Sequence, residues 1–372
     1  MSQGFFSRTY PEARKKFHEQ AGKAQARIKS WELPFARGTA GEALAMDVAW
    51  LGSDTPRGAV IVTSGTHGVE GYAGSGFQCA FLARRAATVL RQGVAIILVH
   101  AINPFGFSHV RRVNEHNIDL NRNFIDFSRP PGSPGYDRLH AALVPGSWTG
   151  EARDRADRFI GDAWTTLGER GFQQAVCLGQ YTHADGLFYG GTAPSWSNVA
   201  WRSYLADLPA SIEVLAHIDV HTGLGPYGYG EIIYSLPMDQ PALALASRWY
   251  GDLDLRAAGS ADSSATPIGG TMNHAIIEAD IGAETTSVSL EFGTVEFQRM
   301  FAALRADNWL RARALPGSVH EAGIREELLS CFYPADAAWQ EAVVARCDQV
   351  LTRTVAGITE RLQSGRRALN GK

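Results

Sequence analysis

The sequence predicts an α/β protein with three layers, in which helices flank both faces of a twisted, mixed and mostly parallel sheet. Two unbroken apolar stretches, AVIVTS at 59–64 and VAIILVH at 94–100, indicate strands that are buried on both sides. Between them lie a glycine-rich loop and a stretch with helical spacing over 76–91. A strand, a helix and a second strand in this order form a βαβ unit, which favours parallel strand pairing.

Further elements are predicted on both sides of this unit. A charged surface helix is expected over 10–28 and a strand over 43–51. The Gly/Ser/Ala-rich segment 257–273 is predicted to be a mobile loop. The remaining elements are strands at 212–221, 231–236 and 287–293, and helices at 153–170, 241–255 and over most of 296–372, with a break at Pro316–Gly317.

One domain is expected to span residues 1–372, because no linker, internal repeat or low-complexity tract divides the chain. The apolar residues make up 45% of the sequence, which is enough for a large core. The predicted parts are an N-terminal helix (10–28), a core (43–310), an insertion (128–210) and a C-terminal helical extension (311–372).

Composition and charge make several classes of protein improbable. The net charge is -3 and no basic block is present, so a nucleic-acid partner is not expected. No apolar run approaches the roughly 18 residues of a membrane helix, and the polar N-terminus lacks the apolar core of a signal peptide. We therefore expect a cytoplasmic protein without a membrane partner. Its four scattered cysteines form no C-x-x-C pair and are expected to be reduced thiols.

Polar side chains follow three of the predicted strands, where open α/β sheets place their functional residues. His67 and Glu70 come after the first apolar strand, in THGVEG. His221 ends a later strand, and Glu291 lies near the end of the last one. Catalytic zinc usually takes three His or carboxylate ligands and keeps one position for water, which two His and one Glu would satisfy. Glu291 could then accept a proton from the metal-bound water.

The spacing H-x-x-E is a weak signal by itself, because a surface Glu beside a His is the commoner explanation. The segment Asn103–Phe124 is more informative, since it follows a buried strand and is dense in Arg and Asn. Arginine can hold a carboxylate with two parallel hydrogen bonds, and it can also stabilise an oxyanion. This segment contains Arg111, Arg112 and Arg122.

The order of these motifs resembles the zinc carboxypeptidase (funnelin) family, in a bacterial branch distinct from the digestive enzymes. H-x-x-E, N-P-x-G, R-x-N and D-L-N-R-N-F are followed by a strand ending in His and a strand carrying Glu, over residues 59 to 293. The resemblance implies a phosphorylase/hydrolase-like fold and one catalytic domain that binds one zinc ion. It identifies His67, Glu70 and His221 as the zinc ligands and Glu291 as the general base.

The same resemblance assigns residues to the substrate, a peptide with a free terminal carboxylate. It implies that Arg112 polarises the carbonyl of the bond to be cut and that Asn121 and Arg122 bind the carboxylate. The sequence leaves open which of Arg111 and Arg112 points inward. The distance to Asn114 favours Arg112, and Arg111 remains a candidate for substrate binding.

One feature departs from the family pattern. Many carboxypeptidases close a mobile tyrosine over the substrate carboxylate from the loop before the catalytic Glu, but residues 251–290 contain no tyrosine. Tyr227 or Tyr229 could take its place. The departure keeps open a deacylase of N-acyl amino acids, similar to aspartoacylase and succinylglutamate desuccinylase. A binding protein that kept the fold and lost catalysis is a third alternative.

Residues near the expected ligands have supporting roles in this interpretation. Asp119 and Asp219 are expected to orient neighbouring side chains. His217, Asp219 and His221 alternate along one strand and therefore face the same side. A buried hydrogen-bonded network of His217 and Asp219 is expected there, rather than a second metal site.

Three other patterns carry less weight. The glycines at 223–228 spell G-x-G-x-x-G, but a strand follows them instead of a helix, so a nucleotide site is not expected. His183 is expected to belong to a packing loop. The turn-rich segment 189–198 is expected to shape the substrate pocket.

Overall fold

The structure is a computed structural model that describes residues 2–91, 93–238, 241–315 and 317–370, with side chains as far as residue 364. In chain order, the strands are β1 (Arg27–Arg37), β2 (Ala43–Leu51), β3 (Gly58–Ser64), β4 (Val94–His100), β5 (Val214–Tyr227), β6 (Gly230–Tyr234), β7 (Leu255–Ala257) and β8 (Glu284–Gly293). The helices are α1 (Tyr10–Lys23), α2 (Gly71–Arg84), α3 (Ala86–Val89), α4 (Pro104–Ser108), α5 (Pro134–Leu143), α6 (Glu151–Cys177), α7 (Trp196–Ala206), α8 (Pro241–Tyr250), α9 (Met272–Glu278), α10 (Phe297–Arg313), α11 (Glu321–Phe332) and α12 (Ala337–Asn370).

The strands form one sheet in the order β1-β2-β4-β3-β5-β8-β6-β7. The four central strands, β4, β3, β5 and β8, are parallel to one another. Antiparallel pairing attaches β2 to β4, β1 to β2 and β6 to β8. The predicted α/β fold with a mixed, mostly parallel sheet is therefore confirmed.

Helices cover both faces of this sheet, and alternate residues of the central strands show why. Val60 and Val62 of β3 pack in an apolar core with α1, α2, α8 and α12. Their neighbours Ala59 and Ile61 pack in a second core on the other face, with α7 and α9. Every residue of β3 and β4 is buried, as the unbroken apolar stretches predicted.

A third apolar cluster joins α5, α6, α10 and α11, and it also contains Val69 from the loop after β3. Two of its members, Met300 and Phe332, lie close to Gly223 near the end of β5. The insertion between β4 and β5 therefore packs beside the carboxyl ends of the central strands. This is the edge of the sheet at which the candidate site is built.

The predicted helix over 10–28 is wrong beyond Lys23. The chain leaves α1 at Ala24, takes a positive φ of 56° at Gln25 and continues as β1. That strand is the outermost of the sheet and most of its residues are exposed. An edge strand of this kind lacks an unbroken apolar stretch, so its charged sequence resembled a continuation of the surface helix.

Other boundaries differ less from the prediction. The helix expected over 76–91 begins earlier, at Gly71, and the helix expected over 153–170 is part of the longer α6. In the predicted break, Gly317 separates α10 from α11, while Pro316 lies outside the described residues. Among the residues that the structure describes, no helix has both the length and the apolarity needed to cross a membrane. The cytoplasmic location and the domain boundaries stay predictions.

Candidate metal centre and active site

The loop that carries His67 and Glu70 is held by tight backbone packing. Gly65 takes a positive φ of 68° after β3, and a short 3-10 turn, Gly68–Glu70, leads directly into α2. A Cβ at Gly68 would come within 2.0 Å of the backbone of Gly106, so only glycine fits there. The Gly68 amide donates to the carbonyl of Arg112 at 3.1 Å. The backbone thus joins the H-x-x-E turn to the segment that carries the arginines.

His221 and Glu291 come from neighbouring strands of the sheet. They lie in register where β5 pairs in parallel with β8, close to the carboxyl end of both strands. The strand β3, which leads to His67, pairs with β5 on its other side. Three adjacent strands therefore bring all four residues to one point, as the sequence predicted from their strand ends.

The donor atoms of His67, Glu70 and His221 lie within 4.8 Å of one another. Nδ1 of His67 lies 2.8 Å from Oε1 of Glu70, and Nδ1 of His221 lies 2.8 Å from Oε2 of the same carboxylate. Both imidazoles thus direct Nδ1 towards the shared carboxylate. The side chains of all three residues are buried.

The opposite ring nitrogen of each histidine contacts an aspartate. Nε2 of His67 lies 3.1 Å from Oδ1 of Asp119, and Nε2 of His221 lies 2.7 Å from Oδ2 of Asp219. A proton on Nε2 would leave Nδ1 with its lone pair directed at the centre of the site. An acidic partner that orients a ligand in this way is common beside metal-binding histidines.

Charge is closely balanced among these buried groups. Burial alone would raise the pKa of Glu70, but the facing His67 and His221 hold it well below its usual range. Burial likewise opposes the charged form of His221, yet Asp219 and Glu70 raise its pKa well above the ordinary value. Arg112 and Arg122 overcome the burial of Asp119 and hold its pKa far below normal. Both carboxylates, Glu70 and Asp119, are therefore held in the charged form by the histidines and arginines around them.

A cavity of about 130 Å³ opens beside these ligands. Its polar lining includes the three ligand candidates together with Arg112, Asn121, Arg122 and Glu291. Apolar side chains from the 258–271 segment, α10 and the loop after α6 form most of the remaining wall, among them Phe188, Ile268, Phe297, Met300, Phe301 and Leu304.

Hydrogen bonds to other parts of the protein hold the two arginines of the cavity, Arg112 and Arg122, in position. Arg112 donates through Nε to Asp119 at 3.0 Å and through Nη1 to Glu70 at 3.2 Å. Arg122 donates to the carbonyl of Cys177 and to that of Asn121. Both guanidinium groups lie over the ring of Phe188, at 5.6 and 5.7 Å from its centre. Phe188 was not identified from the sequence, where only the nearby turn-rich segment drew attention.

Glu291 is partly accessible and lies at the cavity wall. Its Oε1 accepts a hydrogen bond from the backbone amide of Leu224 at 3.0 Å. Burial, followed by the negative charge of Glu70, raises the pKa of Glu291 to about 7. A carboxylate with such a pKa can accept and release a proton near neutral pH.

The structure does not bring Arg111 or Tyr227 into the cavity. Arg111 points the other way and forms a buried ion pair with Asp307 of α10, at 3.0 Å. Tyr227 is 55% exposed, and its hydroxyl donates to Asp336 at 2.8 Å. The alternative, Tyr229, donates to Asp254 on the protein surface.

The expected network around His217 is present, with Thr63 as its link. Nε2 of His217 lies 3.0 Å from the Thr63 hydroxyl, which donates to Asp219 at 2.6 Å. His183 lies outside the cavity, where it contacts Asp137 at 3.0 Å. Asp219 accepts hydrogen bonds from Thr63 and Thr66 and contacts Nε2 of His221.

Several solved structures resemble this chain at low identity. Bovine thrombin-activatable fibrinolysis inhibitor, in complex with tick carboxypeptidase inhibitor, is 15% identical over 91% of this chain and 98% of that chain, with a TM-score of 0.44. Carboxypeptidase A from Helicoverpa armigera is 14% identical over 94% and 74%, with a TM-score of 0.44. A succinylglutamate desuccinylase from Silicibacter sp. TM1040 is 14% identical over 77% and 66%, with a TM-score of 0.37. Scores this low do not establish a common activity.

No curated protein matches the sequence. A family model described as "Protein of unknown function (DUF2817)" matches residues 6–346, which include every element from α1 to β8 and all the residues of the candidate site. The chain therefore belongs to the DUF2817 family.

Proposed function

We propose that this protein is a zinc-dependent hydrolase that cleaves an amide bond next to a free carboxylate, in the manner of a metallocarboxypeptidase. The proposal depends above all on one observation: His67, Glu70 and His221 converge at the edge of a cavity that Glu291 also lines. Two imidazoles, one carboxylate and an adjacent carboxylate base form the residue set of a catalytic zinc centre.

The residues present fit a divalent ion. His67, Glu70 and His221 would hold it, because their donor atoms already lie within 4.8 Å of one another and both imidazoles are oriented by buried aspartates. Such an ion supplies Lewis acidity, which polarises a carbonyl and makes a coordinated water more acidic. All other steps of the proposal fall to side chains of the protein.

Glu291 is the proposed proton acceptor. One of its oxygens is fixed by the Leu224 amide, which holds the carboxylate in position at the cavity wall. A carboxylate held in this position can take a proton from the attacking water and pass it to the leaving nitrogen.

Arg112, Asn121 and Arg122 are proposed to bind the substrate. Arg112 is held by Asp119 and Glu70 and lies at the cavity, where its positive charge would stabilise an oxyanion formed on attack. Asn121 and Arg122 would receive the free carboxylate. Their orientation is set by backbone contacts, since the amide oxygen of Asn121 accepts from Met272 and Arg122 donates to Cys177.

The substitution Glu291→Gln tests the proposal. Loss of a general base should lower turnover of a peptide substrate by about 100-fold or more. Glu296→Gln serves as a matched control, because Glu296 is an exposed carboxylate close by in sequence. Metal content should be unchanged in both variants. Normal turnover in Glu291→Gln would refute the mechanism, and absence of turnover in the metal-loaded wild type on every amide tested would favour a binding protein.

A deacylase of N-acyl amino acids is the second candidate function, and the composition of the cavity wall supports it. No tyrosine is present among the described residues that line the cavity, so the closing residue of many carboxypeptidases has no counterpart in this wall. A panel of peptides, their C-terminal amides and N-acyl amino acids would separate the two activities. A carboxypeptidase should lose activity on the amides, while a deacylase should prefer N-acyl amino acids over peptides.

A further inference from the structure

A second group of histidines and aspartates lies outside the catalytic cavity. Asp137 and His140 are one helical turn apart on α5, while His183 and Asp185 come from the loop after α6. Donor atoms of His140, His183 and Asp185 lie within 4.8 Å of one another. The proposed hydrolase mechanism uses none of these residues.

The contacts within this group already pair each imidazole with a carboxylate. Nε2 of His140 lies 3.2 Å from Oδ1 of Asp185, and Nε2 of His183 lies 3.0 Å from Oδ1 of Asp137. Arg313 holds the other oxygen of Asp185 at 2.6 Å. The side chain of Asp185 is therefore oriented from α10, with Oδ1 turned towards His140.

We propose that His140, His183 and Asp185, with Asp137 beside His183, form a second site for a divalent metal ion of the zinc class. Imidazole nitrogen and carboxylate oxygen are both zinc ligands, and three of them leave the fourth tetrahedral position for water. Asp137 and Asp185 bring negative charge to the position of the ion, and Arg313 pairs with the outer oxygen of Asp185. The four side chains are between 16% and 48% exposed, so an ion can enter from solvent.

Metal binding requires one ring to move. The imidazoles of His140 and His183 are stacked, with centroids 3.8 Å apart and planes inclined by 16°. An imidazole binds a metal in the plane of its ring, so two nearly parallel rings cannot both address one ion. His183 is the ring expected to turn, because it lies on a loop and is more exposed than His140 on α5.

A metal at this position would have a structural effect. It would tie α5 to the loop that also carries Phe188, the ring beneath Arg112 and Arg122. The same loop is already linked to the D-L-N-R-N-F region, because Asn117 donates to the carbonyls of Ala184 and Gly186. The second site would thus stabilise one wall of the catalytic cavity without contacting substrate.

Zinc stoichiometry of the full-length protein tests this inference without any assay of activity. The protein is stripped with a chelator, exposed to Zn²⁺ alone and desalted, and bound zinc is measured by mass spectrometry. We expect two ions in the wild type, one in His67→Ala/His221→Ala, one in His140→Ala/His183→Ala and none in the quadruple variant. His116→Ala should keep both ions, since His116 is 64% exposed and outside both groups.

The outcomes separate this site from the catalytic one. The second site is supported if His67→Ala/His221→Ala still binds one zinc ion and if adding His140→Ala/His183→Ala to that variant removes it. This holds even if the catalytic site takes no zinc. Zinc that persists in the quadruple variant, or no zinc in His67→Ala/His221→Ala, overturns the second site. If His140→Ala disturbs folding, His183→Ala is introduced alone into the His67→Ala/His221→Ala variant. This change should weaken zinc binding at least 10-fold. It should also abolish the rise in melting temperature that Zn²⁺ produces.

Discussion

The substitution Asp119→Asn is expected to weaken metal binding and stability together, because one buried carboxylate supports both. Asp119 contacts Nε2 of His67 at 3.1 Å and accepts from Nε of Arg112 at 3.0 Å. It also accepts from the backbone amide of Asn121 at 3.0 Å. Asparagine keeps the shape and one acceptor oxygen but loses the negative charge and offers an NH2 group to His67.

The size of the two effects follows from these contacts. Loss of a partner that orients a metal-binding histidine typically costs 10- to 100-fold in metal affinity, or about 1.4 to 2.7 kcal/mol. Breaking a buried ion pair by removing one partner costs about 3–5 kcal/mol. Because asparagine still accepts one hydrogen bond, we expect the lower end, about 3 kcal/mol of the free energy of unfolding of the metal-free protein.

Two measurements check this prediction. Zinc affinity is obtained by competition with a chelator, and the free energy of unfolding by denaturant titration without metal. Asp207→Asn is the control, since Asp207 is 61% exposed and pairs with Lys29 in a surface contact worth about 1 kcal/mol at most. Zinc affinity within two-fold of the wild type would show that Asp119 does not orient His67 for metal binding.

Two further predictions concern pH and the missing tyrosine. Burial lowers the pKa of His100 to about 4, whereas the same group in the unfolded chain has a pKa near 6.5. Between these two pH values the unfolded chain therefore binds more protons than the folded protein. The free energy of unfolding should fall by about 3 kcal/mol because of this residue as the pH falls from 6.5 to 4. Denaturant titrations at several pH values should show a flatter dependence for His100→Gln, and parallel curves would contradict the assignment. Tyr227→Phe should leave turnover within about two-fold of the wild type, because the hydroxyl meets Asp336 instead of the cavity; a large rise in KM would show that Tyr227 moves to the substrate.

The parts of the fold that were predicted correctly are those with a local signal. The strands β3 and β4 are buried on both faces, so their sequences are unbroken apolar runs. Runs of this length are more typical of a buried strand than of a helix or a loop. Placing His67, Glu70, His221 and Glu291 at one edge required only that β3, β5 and β8 be parallel to one another. The pairing of His221 with Glu291 across β5 and β8 shows how closely strand ends determine the site.

Other features depend on contacts between distant residues and left no local signal. The edge strand β1 is recognisable only through its partner β2, and its charged sequence suits a surface helix as well. The choice between Arg111 and Arg112 is made by Asp307, almost two hundred residues away, which binds Arg111 on the far side of the loop. Phe188 could not be identified from the local sequence either, because its contact with the guanidinium groups of Arg112 and Arg122 results from the packing of the insertion between β4 and β5.

The segment expected to be a mobile loop shows how the cavity is closed without a tyrosine. Glu231 of β6 is buried and lies opposite Glu291 in the antiparallel pairing with β8. Its carboxylate accepts hydrogen bonds from the hydroxyls of Ser263 and Ser264 at 2.7 and 2.6 Å. From the other side, Arg170 of α6 donates to two carbonyls of the same segment.

This anchoring changes what a substrate would meet. A segment held at both sides presents Ala265, Thr266 and Ile268 to the cavity as a wall of small and apolar side chains. A mobile tyrosine would add a hydrogen bond to the substrate carboxylate after binding, whereas this wall contributes shape and the exclusion of water. In the proposed function, recognition of a carboxylate depends on Asn121 and Arg122, whose side chains are held by protein contacts. A substrate without a carboxylate would leave Arg122 with only its contacts to the carbonyls of Cys177 and Asn121, so it would lack the charge-assisted hydrogen bond that a carboxylate provides and should bind more weakly.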